Sequence, residues 1–223
     1  MAFDFDYMVS LFPLLLSYLG ITMEMAFLGL LFSLALAVAI ALIRVFRVPG
    51  LNGLAQIFIS FFRGTPLLVQ LFLLYYGLPQ VIPSLVGMDA FTAAVIGISL
   101  HFSAYMAESI RAAILGVDRS QMEASLAIGM TTRQAMQRII LPQAVRIALP
   151  SLMNYFIDMI KATSLAFTLG VTEIMAQAQM EASSSFKFFE AYLAVALIYW
   201  AIVVALTRVQ YWAEAHLNKA YQR

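Results

Sequence analysis

Four charged side chains stand where an apolar chain accommodates them least. Glu108 and Arg111 lie in one long hydrophobic stretch, and Asp158 and Lys161 lie in another; the members of each pair are three residues apart. On a helix that spacing puts both members on one face, where each can neutralise the other. Charge inside an apolar span is costly, and it either braces the bundle or lines a cavity for a polar solute. Four uncharged groups extend this set. Gln70 both donates and accepts, His101 carries an imidazole, and Thr163 and Ser164 bring two hydroxyls just after Lys161. Each has a structural alternative: an interhelical hydrogen bond for Gln70, simple packing for His101, and backbone carbonyls as acceptors for the hydroxyls.

Covalent or metal chemistry has no foothold here. There is no cysteine, and neither an H-E-x-x-H nor a G-x-S-x-G motif occurs. The two histidines, His101 and His216, are far apart, and the 13 methionines are scattered, as gap-filling core residues are. The sequence offers no catalytic set and no metal site.

The elements that must position these groups are membrane spans. The chain of 223 residues is 63% hydrophobic and only 11% charged, too few charges to coat a soluble domain. Five stretches are long enough for a helix to cross ~30 Å of hydrocarbon. They are about Leu19–Ile43, Leu54–Leu78, Phe91–Leu115, Ala148–Val171 and Phe189–Val209. The expected class is an all-α integral membrane protein with five transmembrane helices. Residues 1–18 form an N-terminal segment, 19–209 the transmembrane domain and 210–223 a C-terminal tail. Arg44, Arg47, Arg111, Arg119, Arg133, Arg138, Arg146, Arg208, Lys219 and Arg223 fall on one side of this alternation. Asp4, Asp6, Asp89, Glu173 and Glu181 fall on the other, with Lys187. The positive-inside rule places the N-terminus outside and the C-terminus in the cytoplasm. A helix-like stretch at Thr172–Ala182 lies outside. The net charge of +1 gives no nucleic-acid footprint.

One polar segment interrupts the spans: "EASLAIGMTTRQAMQRIILP", Glu123 to Pro142. Ser120 is placed to cap a short helix running to Ile128, and Gly129 to terminate it in the left-handed region. Thr131 with Gln134 forms a capping-box pattern for a second helix. Met136, Ile139 and Ile140 share a face, and Pro142 is expected to end the helix. The pattern fits either an amphipathic hairpin lying in the lipid interface or a rigid knob for a cytoplasmic partner.

The same segment resembles the cytoplasmic signature of ABC importer permeases. Glu123, Ala124, Gly129, Ile139, Leu141 and Pro142 match its spacing, and Ser125 stands where the family carries a third Ala. "FRGTPLLVQLFLLYYGLP", "SAYMAESIRAAI" and "IKATSL" are similar to the polar amino-acid importers, most of all to the L-cystine permeases. The resemblance implies a type I ABC importer transmembrane domain in a bacterial plasma membrane. Its partners would be an ATPase subunit that carries ATP and Mg, a second permease (identical or paralogous), an extracytoplasmic amino-acid-binding protein, and lipid. The chain has no phosphate loop of its own and no cofactor. Glu123, Ala124, Gly129 and Pro142 would make the ATPase-coupling contact. Gln70, His101, Asp158, Lys161, Thr163 and Ser164 would meet the substrate, since a zwitterion needs an acceptor for its ammonium and a donor for its carboxylate. An ATP-independent carrier or channel is the alternative, and it leaves the capped helix pair without a purpose.

Overall fold

The computed structural model describes residues 3–218, with side chains through His216; Lys219 and Arg223 of the charge pattern lie outside the described residues. Every regular element among the described residues is helical. The order begins with α1 (Phe5–Ser17), α2 (Leu19–Val45), α3 (Leu51–Gly64), α4 (Leu67–Phe72) and α5 (Leu78–Val81). It continues with α6 (Ala90–Leu115), α7 (Arg119–Ala127), α8 (Thr132–Ala135), α9 (Leu141–Ala162), α10 (Ile174–Ser185) and α11 (Phe188–Asn218). A π turn at Leu73–Gly77 joins α4 to α5, a second at Met136–Ile140 joins α8 to α9, and a 3-10 stretch at Thr163–Leu169 follows α9.

Among the described residues three helices are long and apolar enough to cross a membrane: α2, α6 and α11. The count rises to five when each of two bent helix pairs is taken as one span. The first bent pair revises the expected straight span over Leu54–Leu78. Leu51–Gly64 meets Leu67–Val81 at 111°. The cause is Pro66, which has no N–H and forces the residue before it out of the helical region; Thr65 is extended, at φ −122° and ψ 147°. Pro142 behaves oppositely to expectation. It does not end the helix but lies in the first turn of α9. The π turn ahead of it shifts the ladder, with Leu141 N–H bonding to Met136 C=O, and the chain passes through Pro142 without a break. In the second bent pair, Thr132–Leu169 and Ile174–Ser185 meet at 53°. There Gly170 turns the chain in the left-handed region at φ +99°. The N-terminal segment holds a helix, α1, that the sequence reading did not assign, and α11 runs past 209 to Asn218.

The chain divides into two compact units. One holds residues up to Leu31, Pro66–Ser99 and Phe156–Val209. Its apolar core joins Leu11 and Leu15 of α1 to Ala178 and Ala182 of α10 and to Ala191 and Ala194 of α11. Small residues let these backbones approach closely, and close packing is the main attraction where lipid competes for apolar surface. Gly29 of α2 serves the same end: a Cβ there would lie 2.9 Å from Met159 Sδ and 3.2 Å from an Ile98 methyl.

The other unit holds Phe32–Thr65, Leu100–Tyr155 and the residues from Gln210. Its core gathers Ile114 at the end of α6, Val117 in the connection after it, Ile140 in the π turn, and Ala144 and Ala148 of α9. Met122 of α7, Met136, and Val45 of α2 pack against it. The α7–α8 segment is therefore seated on three long helices.

Candidate functional site

The first candidate region is the helical hairpin of α7 and α8. Its caps are mostly those the sequence implies, with one change. Asp118, not Ser120, caps α7, its carboxylate accepting from Ser120 N–H at 2.8 Å. That bond holds the Asp118 carboxyl below the usual carboxylate range. Gly129 has φ +86°. Its N–H donates to Leu126 C=O at 3.0 Å, and Met130 N–H donates to Ser125 C=O at 3.1 Å. This pair of bonds is a Schellman termination. Thr131 Oγ1 accepts from Gln134 N–H at 3.3 Å while Gln134 Oε1 accepts from Thr131 N–H at 2.9 Å, a reciprocal capping box. The connection between the two helices is thus fixed by four local bonds.

What the hairpin presents is also defined. Glu123, Ala124, Gly129 and Pro142 are all exposed. Ile128 is 79% exposed, with nothing covering it. Ser125 faces inward and is buried, and its hydroxyl donates to Gln121 C=O at 2.6 Å. The Ser for Ala departure therefore costs nothing: the added hydroxyl is satisfied within its own helix and does not reach the outward surface.

A polar cluster stands in the same unit. Arg111 grips Glu108 with Nη2 at 2.8 Å and Nε at 3.2 Å, and Arg44 of α2 stands 3.8 Å from the same carboxylate. Glu108 therefore ties α2 to α6 as well as pairing within its helix. Arg63 lies over the Tyr105 ring at 5.5 Å, and His101, one turn earlier on α6, packs at 5.1 Å from that ring. His101 is half-buried among aromatic rings, with Phe102 edge-on at 5.2 Å.

The remaining substrate candidates belong to the first unit. Asp158 and Lys161 pair at 2.7 Å near the end of α9, both about half exposed. Gln70 is buried in α4, which packs against the 3-10 stretch carrying Thr163 and Ser164. Thr163 Oγ1 donates to Ile160 C=O at 2.6 Å and Ser164 Oγ to Lys161 C=O at 2.7 Å. Their protons are spent on the end of α9, which leaves lone pairs but no donor for a ligand. The strongest open polar feature is accordingly the Asp158–Lys161 pair.

Sequence reading missed one group. Glu173, counted only as an external charge, is fully buried. Its Oε1 accepts from Ala176 N–H at 2.9 Å, capping α10, and its Oε2 accepts from Tyr199 O–H of α11 at 3.1 Å. The Thr22 hydroxyl of α2 is buried beside it. The available signal was an acidic residue directly before an apolar-periodic helix, an N-cap position.

Comparison with known proteins agrees with this architecture. Residues 29–219 match the model of the family described as binding-protein-dependent transport system inner membrane component. The chain is 76% identical over 223 residues to the probable amino-acid ABC transporter permease protein PatM of Vibrio harveyi, covering 100% of both. It is 40% identical over 227 residues to the L-cystine transport system permease protein TcyL of Bacillus subtilis, covering 100% of this chain and 95% of the relative. Among solved structures, one described as an amino acid ABC transporter with histidines superposes with a TM-score of 0.90 at 36% identity, covering 97% of this chain and 100% of that one. The capped hairpin, the broken spans and these matches give one conclusion: the chain belongs to the binding-protein-dependent inner membrane components, as the permease subunit of an amino-acid ABC importer with the type I fold, a multi-pass transport component that works with an ATPase and a second permease.

Proposed function

We propose that this permease imports L-cystine. Two copies would pair about an axis normal to the membrane, and each would present its Asp158–Lys161 pair to the pathway. The observation that carries this reading is the pair itself, 2.7 Å apart and half exposed near the end of α9. Two such pairs related by a two-fold axis offer two carboxylates and two ammoniums. Cystine is itself two-fold symmetric, with an ammonium and a carboxylate at each end. The Bacillus subtilis relative named for L-cystine supports the same substrate. A single zwitterion such as arginine, histidine or glutamine would engage one pair only; the solved transporter described with histidines favours keeping that reading in the test.

The hairpin of α7 and α8 would face the cytoplasm, with the N-terminus outside. Glu123, Ala124 and Gly129 would enter a cleft on the partner ATPase, which binds ATP and Mg. Pro142, in the first turn of α9, would pass the movement to that helix, and an external binding protein would deliver the substrate. Gln70, Thr163 and Ser164 would shape the wall behind the charged pair, and His101 would line the pathway through its aromatic setting. The test is uptake into proteoliposomes holding permease, ATPase and binding protein. ATP-dependent accumulation of labelled cystine well above that of arginine, histidine or glutamine is expected. Equal uptake without the ATPase would favour the carrier alternative, and preference for another amino acid would remove cystine.

A further inference from the structure

The helix that sequence reading did not assign has a face with no partner. α1 lies outside the matched family region, which begins at residue 29. Its 13 residues reach about 20 Å, short of the ~30 Å needed to cross. Yet two of its flanks are apolar, with Asp6, Ser10 and Ser17 exposed on a third. Met8, Leu11 and Leu15 point inward against α10 and α11. Phe5, Val9 and Leu16 point outward, 60%, 47% and 46% exposed. Phe5, Val9 and Leu16 fall on one stripe of the helix, an apolar flank that water does not favour.

One end of α1 is polar and fastened. Lys187 Nζ pairs with Asp4 Oδ2 at 2.6 Å and sits 4.3 Å over the Tyr7 ring. Asp4 N–H donates to Glu190 Oε1 at 2.9 Å, and Tyr7 O–H to Ser185 Oγ at 2.9 Å. Beside this clasp the Phe3 ring touches Phe5 at 6.5 Å and Phe189 of α11 at 5.7 Å. The outward face of α1 is therefore continuous with the exposed surface of a helix long and apolar enough to span, of whose apolar window only 28% is buried.

We propose that α1 is a lipid-facing half-span: its Phe5, Val9 and Leu16 flank is covered by acyl chains of the leaflet on the α10–α11 side, while the Asp4–Lys187 clasp holds its start at the headgroup level. No Lys or Arg precedes Arg44, so the face offers no cation to a soluble partner. A few side chains on a 20 Å helix also fall short of the roughly 800 Å² per partner that a stable protein interface buries.

The absence of cysteine from the chain makes the test direct. Val9→Cys and Leu16→Cys carry a nitroxide in the permease–ATPase complex in liposomes, with Val86→Cys, 69% exposed in the connector before α6, as the water-exposed reference. Collision with oxygen should exceed collision with a water-soluble nickel chelate several-fold at both α1 sites, and the order should reverse at Val86. Dominance of the nickel chelate at Val9 and Leu16 would overturn the proposal in favour of a face for a soluble protein. Exclusion of both reagents would overturn it in favour of cover by a second permease or another membrane protein. Uptake by each labelled variant at more than half the parent rate confirms that the complex measured is the assembled one.

Discussion

Lys161 Nζ stands 2.7 Å from Asp158 Oδ1, one turn apart on α9, with the side chains 53% and 52% exposed. A helical pair at this spacing contributes only about 0.2–0.5 kcal/mol to stability. Asp158→Asn and Lys161→Met are therefore expected to leave thermal unfolding of the solubilised protein within about 2 °C of the parent. Cystine uptake should fall at least tenfold, a loss of about 1.4 kcal/mol in the relevant equilibrium. Unchanged uptake with a lower unfolding temperature would make the pair a brace.

Gly129 separates two kinds of cost. A Cβ at this position meets nothing within 4 Å, but the backbone holds φ +86°. The penalty for another residue is conformational, about 1–2 kcal/mol, least for Asn and largest for a β-branched side chain. Gly129→Asn should keep most ATP-driven uptake. Gly129→Val should distort the hairpin and lower the uptake obtained per ATP hydrolysed. Equal ratios in the two variants would remove the turn from coupling.

Glu173 joins α10 to α11 through two bonds its carboxylate accepts, from Ala176 N–H at 2.9 Å and from Tyr199 O–H at 3.1 Å. Glu173→Gln keeps its carbonyl oxygen as acceptor for Ala176 N–H and offers its amide N–H to the Tyr199 oxygen, so it should unfold close to the parent temperature. Glu173→Leu strands a buried hydroxyl and an amide, at about 1–3 kcal/mol each. Its unfolding temperature should drop by several degrees, measured by a thermal scan in detergent. A drop as large for Gln as for Leu would locate the effect in charge instead of in the hydrogen bonds.

The clasp on α1 sets a pH window. The Lys187 ammonium, with Tyr7 N–H, holds the Asp4 carboxyl below its ordinary 3.8, and the Asp4 carboxylate holds Lys187 above its ordinary 10.5. A depressed acid contributes above its unfolded value and is lost as pH falls through the folded one; a raised base contributes below its unfolded value and is lost as pH rises through the folded one. The clasp should therefore be intact from about pH 4 to about pH 10.5 and loosen beyond either end. Nitroxide mobility at Phe5→Cys should be flat across that range. Lys187→Met should raise the mobility at neutral pH.

Much of this was legible in the sequence, for reasons that can be named. α2, α6 and α11 are uninterrupted apolar runs, and such runs admit little but a spanning helix. The hairpin was readable because its caps are local: Gly129, Thr131 and Gln134 make their bonds within a few residues. The proline readings divided. Pro66 and Pro142 have the same missing N–H, yet the chain bends by 111° near the first and continues through the second, because only the second follows a π turn that re-registers the ladder. α1 went unassigned because 13 residues fall below the length of a span.

The sequence by itself determined the solvent, the long helices, the hairpin and its caps, because composition, periodicity and capping act over one to a few turns. Tertiary structure decided what each polar group does. Glu173 became a buried cap that bonds Tyr199 26 residues later, and Glu108 acquired Arg44 besides its helical neighbour. Asp4 found Lys187 at the far end of the chain, 183 residues away. Partners so distant are chosen by how helices pack, and no local pattern encodes that choice.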